Sequence, residues 1–429
     1  MGKITQFEEK HKGLILFFRA AGLWLIRHDG KNYILENGSY VFSRILWIIW
    51  HLIGIAAGYW VKKMFLGHSR FDTSIFLDIS LLLIVFLFVG PIQLYILWRN
   101  QQWLPKILPK IKKLEDMWDV DYGSSSDHAE TGSVHSSSES LHDAEGCCNK
   151  CGTKFNTIVS KITYLVLSIT FLIVFGWAAF KESKWDDTKD EYKLVVMMFY
   201  LLFPMLTTWL CIKLIDHHAL MYQVILKMKA SDFKDPKTIR KVSDYMSQMF
   251  HIFENMSDHI FQLTLGMNFA IFVVVGIISM FEILQGLFER KTGEVGFSDI
   301  FYAVPLSLSL FHIYKTCVAS DHLYHHVHRG LFLKLKKLLP DLLMPHEEPS
   351  SGKLDDKPFK KVELVYKNLK DWPPKVCVFG GFKVNYQILS GMIFFIFAYA
   401  RVFIKISTNS SAKGYANGTT VTTLAPLTG

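Results

Sequence analysis

The chain has 429 residues, of which 50% are hydrophobic and 14% aromatic, with a formal net charge of +9. That composition excludes an ordinary water-soluble domain and fits an all-α, polytopic membrane protein in contact with the lipid bilayer. The basic excess does not call for nucleic acid, because membrane proteins gather Lys and Arg in their cytoplasmic loops, and no nucleic-acid partner is expected.

Residues 1–40 read as an N-terminal region lying against the membrane. Within it, 12–28 (KGLILFFRAAGLWLIRH) is apolar but interrupted by Arg19. It is too short to span and has no clear cleavage site, so an interfacial helix is expected. Seven later stretches have spanning length and apolarity: 41–62 and 74–98 (within 41–98), 158–180, 193–215, 262–286 and 298–320 (within 158–320), and 382–404 (within 379–405). Gly90-Pro91 in the second and Pro204 in the fourth predict kinks.

The loop 99–157 contains the Ser-rich low-complexity stretch 123–145, which has too few apolar residues for a core and is expected to be a disordered linker. Cys147-Cys148-x-x-Cys151 follows it, without the second half that a zinc site needs; free thiols or palmitoylation suit it better. Residues 216–261 read as helical continuations of the fourth and fifth spans, punctuated near Asp235-Pro236. In the loop 321–378, residues 359–371 put Val362, Val365, Tyr366 and Leu369 on one helical face before Pro373-Pro374 stops the helix.

Seven spans place the two termini on opposite sides. The loops on the N-terminal side (1–40, 99–157, 216–261, 321–378) hold 30 Lys and Arg, against 8 in the loops on the other side. The positive-inside rule therefore predicts a cytoplasmic N-terminus, and a tail at 406–429 outside. That tail is rich in Ser, Thr and Asn and carries two glycosylation-type sequons, at Asn409 and Asn417. Two further sequons, at Asn37 and Asn255, fall on the cytoplasmic side and are expected to stay unmodified.

The last span is not uniformly oily. Gln387, Ser390, Gly391, Phe394, Ala398, Arg401 and Lys405 recur every three or four residues and share one face. A polar stripe on a membrane helix faces protein or water rather than lipid. After Ala398-Tyr399 come five residues, Ala400-Arg401-Val402-Phe403-Ile404, and then Lys405-Ile406. Near the N-terminus stands Phe18-Arg19-Ala20-Ala21-Gly22-Leu23-Trp24.

These two stretches, with the topology, resemble the insect-type gustatory and odorant receptor superfamily, including its gustatory-receptor-like members. The superfamily signature in the last span is Thr-Tyr, five mostly apolar residues, then Gln-Phe. Tyr399 and the spacing match, whereas Ala398, Lys405 and Ile406 depart from Thr, Gln and Phe. The Arg19-to-Trp24 stretch is similar to the superfamily's Arg-x-x-Gly-Leu-Trp. The motifs cover about 30 residues and the topology the whole chain.

The resemblance implies a ligand-gated ion channel at the plasma membrane, a tetramer of like or related subunits with each last helix lining a central pore. It places Val402 and Lys405 at the constriction, with Gln387, Phe394, Ala398 and Arg401 on the same helix. It also implies packing of the cytoplasmic parts of spans four to seven into an anchor. A small-molecule ligand would bind in the outer half of each subunit, for which Trp177, Tyr200, Phe203, Phe281 and Tyr302 are candidate aromatics. For Arg401 and Lys405 the alternative is snorkelling to headgroups.

Two other classes compete. A G-protein-coupled-type receptor needs the opposite orientation, and neither Asp-Arg-Tyr after span three nor Asn-Pro-x-x-Tyr in span seven is present. A membrane metalloenzyme is suggested by Asp321-His322-x-x-His325-His326-x-His328, with Asp216-His217-His218 and His251, His259 and His312 as further ligands. Only one such box is present, so neither an enzyme nor a metal or other cofactor is expected.

Overall fold

The computed structural model describes residues 6–20, 23–24, 26–29, 32–35, 41–49, 52, 90–117, 189–228, 236–289, 297–337, 363–364, 366–367, 369–371 and 374–418. In chain order the elements are α1 (Gln6–Lys10), α2 (Lys12–Ala20), an antiparallel hairpin β1 (Ile26–Asp29) and β2 (Asn32–Leu35), and α3 (41–49). Then come α4 (Gly90–Met117), α5 (Lys189–Lys227), α6 (Pro236–Met256), α7 (Gln262–Glu289), α8 (Phe297–Tyr324) and the helical residues 363–364, 366–367 and 369–371, labelled α9. A second hairpin, β3 (Cys377–Val378) and β4 (Phe382–Lys383), leads into α10 (Tyr386–Gly418).

The predicted spans 193–215, 262–286, 298–320 and 382–404 fall on α5, α7, α8 and α10. Span 158–180 lies outside the described residues, as do the linker 123–145, Cys147, Cys148, Cys151 and most of the first two spans. Two described helices are long and apolar enough to cross a membrane: Lys237–Leu287 and Tyr386–Ile406. The first is a continuous 51-residue rod. At 1.5 Å per residue it is about 77 Å long, more than twice the roughly 30 Å of a bilayer core. About half of it therefore stands outside any bilayer, and that half is α6, within the helical continuation expected from 216–261. Its Ile239, Val242, Tyr245, Met246, Met249 and Ile252 are buried.

Helix α7 is the hub and packs against α5, α8 and α10. Its glycines set two close approaches. A Cβ on Gly266 would lie 3.1 Å from Cε1 of Phe379 in the second hairpin, and one on Gly276 would lie 2.8 Å from Ile396 Cδ1 of α10. Small residues at helix crossings are a usual device where lipid removes the hydrophobic drive for association.

Prolines inside helices leave carbonyls that lack the usual i+4 donor. Pro204 leaves the Tyr200 carbonyl so, and Gln93 Nε2 of α4 donates to it at 3.4 Å. The helix runs unbroken from Lys189 to Lys227 across the expected kink. Gly90-Pro91 opens the described part of α4. The helix then continues past residue 98 to Met117.

Two π turns interrupt the ladders, at Ser257–Phe261 between α6 and α7 and at His325–Phe332 after α8. Arg99 braces the first. Its Nε donates to His259 O and its Nη2 to Asp258 O, each at 2.9 Å. Trp103 stacks on His259 with ring centroids 3.4 Å apart, and Lys106 Nζ lies 4.5 Å from the Trp103 ring centroid. Lys334, after the second π turn, donates to the carbonyls of Ile225, Leu226 and Met228 at the end of α5.

The N-terminal region differs from the expected interfacial helix. Helix α2 is shorter, ending at Ala20, and the chain beyond it forms the β1–β2 hairpin. Its apolar face is covered by protein: Ile15, Phe18, Leu23 and Trp24 are all buried. Phe7 stacks on Trp24 and meets His217 of α5 edge-on, so the segment docks on the bundle. Ile15 and Phe18 thus serve an intramolecular contact, while Leu16 of the same helix is 68% exposed.

Candidate functional site

Helix α10 is launched by a built corner. Gly380, with φ +78°, and Phe379, with φ +49°, make the turn between β3 and β4, and only the glycine adopts that region without cost. Val384 N donates to Val376 O at 2.9 Å, and Ser320 Oγ of α8 donates to Val384 O at 2.8 Å. Asn385 then caps the helix: its Oδ1 accepts from Gln387 N and Ile388 N, both at 3.1 Å. The last helix is thereby held at its start by α8 and by the hairpin.

One face of α10 is covered. Ile396 and Ala400 are buried, and Phe403 meets Phe281 of α7 edge-on at 6.3 Å. The other face is open. Gln387, Ser390, Phe394, Arg401, Val402 and Lys405 are exposed, Phe394 to 76%, and Ala398 is half-buried. Tyr399 is 44% exposed and lies over Phe395 with centroids 4.2 Å apart. In the most apolar stretch of this helix only 11% of residues are buried, against 56% for Lys237–Leu287. The residues singled out for the pore thus share an uncovered surface of the single chain. Helix α10 also runs past the expected boundary to Gly418, taking in Asn409 and Asn417, whose side chains lie outside the described set. Asn255, of the sequon expected to stay unmodified, donates from Nδ2 to His251 O within α6.

Of the ligand candidates, Trp177 lies outside the described residues, while Tyr200, Phe203, Phe281 and Tyr302 are all buried. Phe203 packs edge-on against Trp47 of α3 at 4.7 Å, whereas Phe281 is committed to Phe403. Beside Phe203 lies a polar network that the sequence did not announce. Asn268 of α7, fully buried, donates from Nδ2 to Thr207 Oγ1 (2.8 Å), Thr208 Oγ1 (2.9 Å) and Pro204 O (3.3 Å). Thr207 Oγ1 donates in turn to Phe203 O. This ties α7 to the proline turn of α5; the available signal was Pro204 itself, whose ring disrupts the local carbonyl pattern.

The histidines go separate ways. His217 Nε2 donates to Glu115 Oε1 at 2.9 Å, with both side chains largely buried. His325 faces Asp321 at 3.3 Å. His218 is enclosed by Phe253 and Tyr222, with neither ring nitrogen hydrogen-bonded. Among the described residues, no three His, Cys, Asp or Glu converge in a group suited to a metal.

Burial, and then the charge of His217, push the His218 imidazole down to about 3. A folded-state pKa below the unfolded value means that the unfolded chain protonates first. Stability is then full above pH 6.5 and falls as the pH drops toward the folded value. We expect His218 alone to cost about 2 kcal/mol between pH 7 and pH 5. Melting curves of His218→Phe should lose that part of the acid sensitivity; the same slope as the unaltered chain would show that His218 does not titrate in unfolding.

No family model and no curated protein matches this sequence. Among solved structures, the chain is similar to the insect olfactory receptor OR5 from Machilis hrabei in complex with eugenol. The TM-score is 0.56 at 13% identity, over 93% of this chain and 98% of that one. The chain has the fold of an insect olfactory receptor. That fold is a polytopic membrane architecture, and the likeness extends over almost the whole length of both chains.

Proposed function

We propose that the chain is a gustatory-receptor-like subunit of a tetrameric, ligand-gated ion channel in the plasma membrane. Its N-terminus is cytoplasmic and its tail, with Asn409 and Asn417 as glycosylation sites, is outside. The carrying observation is the open face of α10, where Gln387, Arg401 and Lys405 lie uncovered on a helix of spanning length. Lipid is a costly neighbour for such side chains, and a water-filled axis shared with other copies is a favourable one. The fold shared with an insect olfactory receptor supports the same reading. A small molecule binding near Tyr200, Phe203, Phe281, Tyr302 and Trp177 would be the ligand, as eugenol is for the solved receptor.

Electrophysiology of the chain expressed alone, with ion substitution, tests this reading. Currents whose ion selectivity changes with Arg401 or Val402 substitutions support it, and currents indifferent to substitution along the open face of α10 oppose it. We further expect Lys405→Gln to shift the reversal potential by tens of millivolts toward cation selectivity, because it removes a ring of positive charge from a narrow pore. An unchanged reversal potential and conductance would remove Lys405 from the pore.

A further inference from the structure

No acid lies between Trp372 and Gly429, a stretch with five basic residues: Lys375, Lys383, Arg401, Lys405 and Lys413. These five supply more than half of the net charge of +9. Arg401 and Lys405 are both exposed on the open face of α10. Four residues apart, they stand about 6 Å from one another along the helix axis. That is inside the roughly 8 Å screening length of physiological salt, so they form one zone of positive potential. The other side chains named on that face, Gln387, Ser390, Phe394, Ala398 and Val402, carry no charge. The sign of the face is therefore set by Arg401 and Lys405.

The foot of α10 has the same sign. Lys383 Nζ of β4 lies 3.7 Å from the Tyr324 ring centroid, and Lys375 Nζ lies 5.8 Å from the same centroid. Ser320, one turn earlier on α8, holds the hairpin in place through Val384 O. The end of α8 thus gathers two cations beside the start of the last helix. One acid, Asp321, belongs to this end of α8, and His325 engages it at 3.3 Å. The first turn of α10 carries no acid, so no side chain of that turn offsets the positive end of the helix dipole.

We propose that the permeant ion is a small inorganic anion, which is chloride in physiological salt. The inference rests on the channel reading given above, with α10 lining a shared axis. A tetramer turns Arg401 and Lys405 into two rings of positive charge one helical turn apart, with no acid on α10 to offset them. Charges act strongly across a narrow passage of low dielectric, and rings of Arg or Lys there favour anions over cations. Lys375 and Lys383 would raise the anion concentration at the inner mouth, as a field focused in a cleft does.

The test is a dilution potential, with sodium chloride as the probe and the full chain reconstituted in a planar bilayer of neutral lipid. Spontaneous openings are recorded after a tenfold dilution on one side. The reversal potential of the undiluted side relative to the diluted one is expected to be positive, approaching the roughly 59 mV that a tenfold ratio gives a monovalent ion. R401Q/K405Q should turn it negative, and R401K/K405R should keep it positive. K375Q/K383Q should lower the conductance in dilute salt while leaving the sign alone, and the loss should vanish near roughly 1 M salt, where screening is short. The sign in the unaltered chain decides the matter even if R401Q/K405Q fails to fold. A negative potential there overturns the inference and leaves the channel standing, provided that the currents still respond to substitutions on the open face. A positive potential that R401Q/K405Q leaves unchanged overturns it as well, because the two side chains then face headgroups rather than the ion path. Currents indifferent to every substitution along that face sink the channel reading, and the inference with it.

Discussion

Glu115→Ala is expected to detach the N-terminal region from the bundle and to cost about 1–3 kcal/mol, the usual penalty for leaving a buried donor without its acceptor. Glu115 closes three elements on one carboxylate. Its Oε1 accepts from His217 Nε2 of α5, and its Oε2 accepts from Gln6 N, the first amide of α1, each at 2.9 Å. The acid at the end of α4 therefore caps a helix from a distant part of the sequence. Its loss leaves a largely buried imidazole without its acceptor, and the exposed Gln6 amide without its cap. Phe7 lies directly over His217, and Trp24 over Phe7, so the apolar contact loosens with the polar one. A total stability of about 5–15 kcal/mol makes such a loss visible. Limited proteolysis should cut within 1–40 in Glu115→Ala at protease levels that spare the unaltered chain, and the melting temperature should fall. Glu115→Gln keeps one acceptor oxygen and should lie between the two. Unchanged cleavage in Glu115→Ala would show that the apolar contacts alone hold the segment.

Gly276→Leu is expected to cost about 1–3 kcal/mol by forcing α10 away from α7. The contact is already closer than side chains permit, since a Cβ at this position would meet Ile396 Cδ1 at 2.8 Å and Cγ1 at 3.3 Å. The end of an isoleucine can rotate aside, so Gly276→Ala should be mild, whereas a branched side chain has nowhere to go. Ile396→Ala in the same chain should restore part of the loss, and that double substitution is the check. If Gly276→Leu melts no lower than the unaltered protein, or if Ile396→Ala gives no rescue, the two helices are not set by this contact. Because α10 carries the open face, recordings from the same variants would also report how far the conductance depends on that spacing.

The parts of the fold that could be read in advance were those the bilayer dictates. Apolar runs of spanning length gave α5, α7, α8 and α10, and the reading of 216–261 as helical continuations broken near Asp235-Pro236 gave α6, because membrane length and helix-breaking prolines leave few alternatives. The face carrying Tyr366 and Leu369 was also legible: Leu369 is buried and Tyr366 stacks on Phe332 with centroids 5.0 Å apart. Val362 and Val365 of the same face lie outside the described residues. Two-residue strands such as Cys377–Val378 leave no alternation to detect, so the corner that launches α10 was hidden. For the N-terminal segment, an apolar stripe looks the same in sequence whether it will meet lipid or protein. Gln93, Arg99, Glu115 and Asn268 were invisible for a different reason. Each serves a carbonyl, amide or ring supplied by a distant stretch of chain, and nothing in its neighbours marks the partner.

The π turn at Ser257–Phe261 also bears on how this chain can change length. The amide of Gln262 donates to Ser257 O, five residues back, so one residue there is surplus to the α-helical ladder. Losing a single residue within 257–261 would let the ladder close as an α-helix, with α6 and α7 keeping their own faces, whereas the same loss a turn away in either helix would swing every buried side chain beyond it by about 100°. The carbonyls of Asp258 and His259 would then turn back into the ladder, and Arg99 would give up the two acceptors it now holds. Relatives with one residue fewer in this rod are therefore expected to lack it here, and to carry something other than arginine at the position of Arg99.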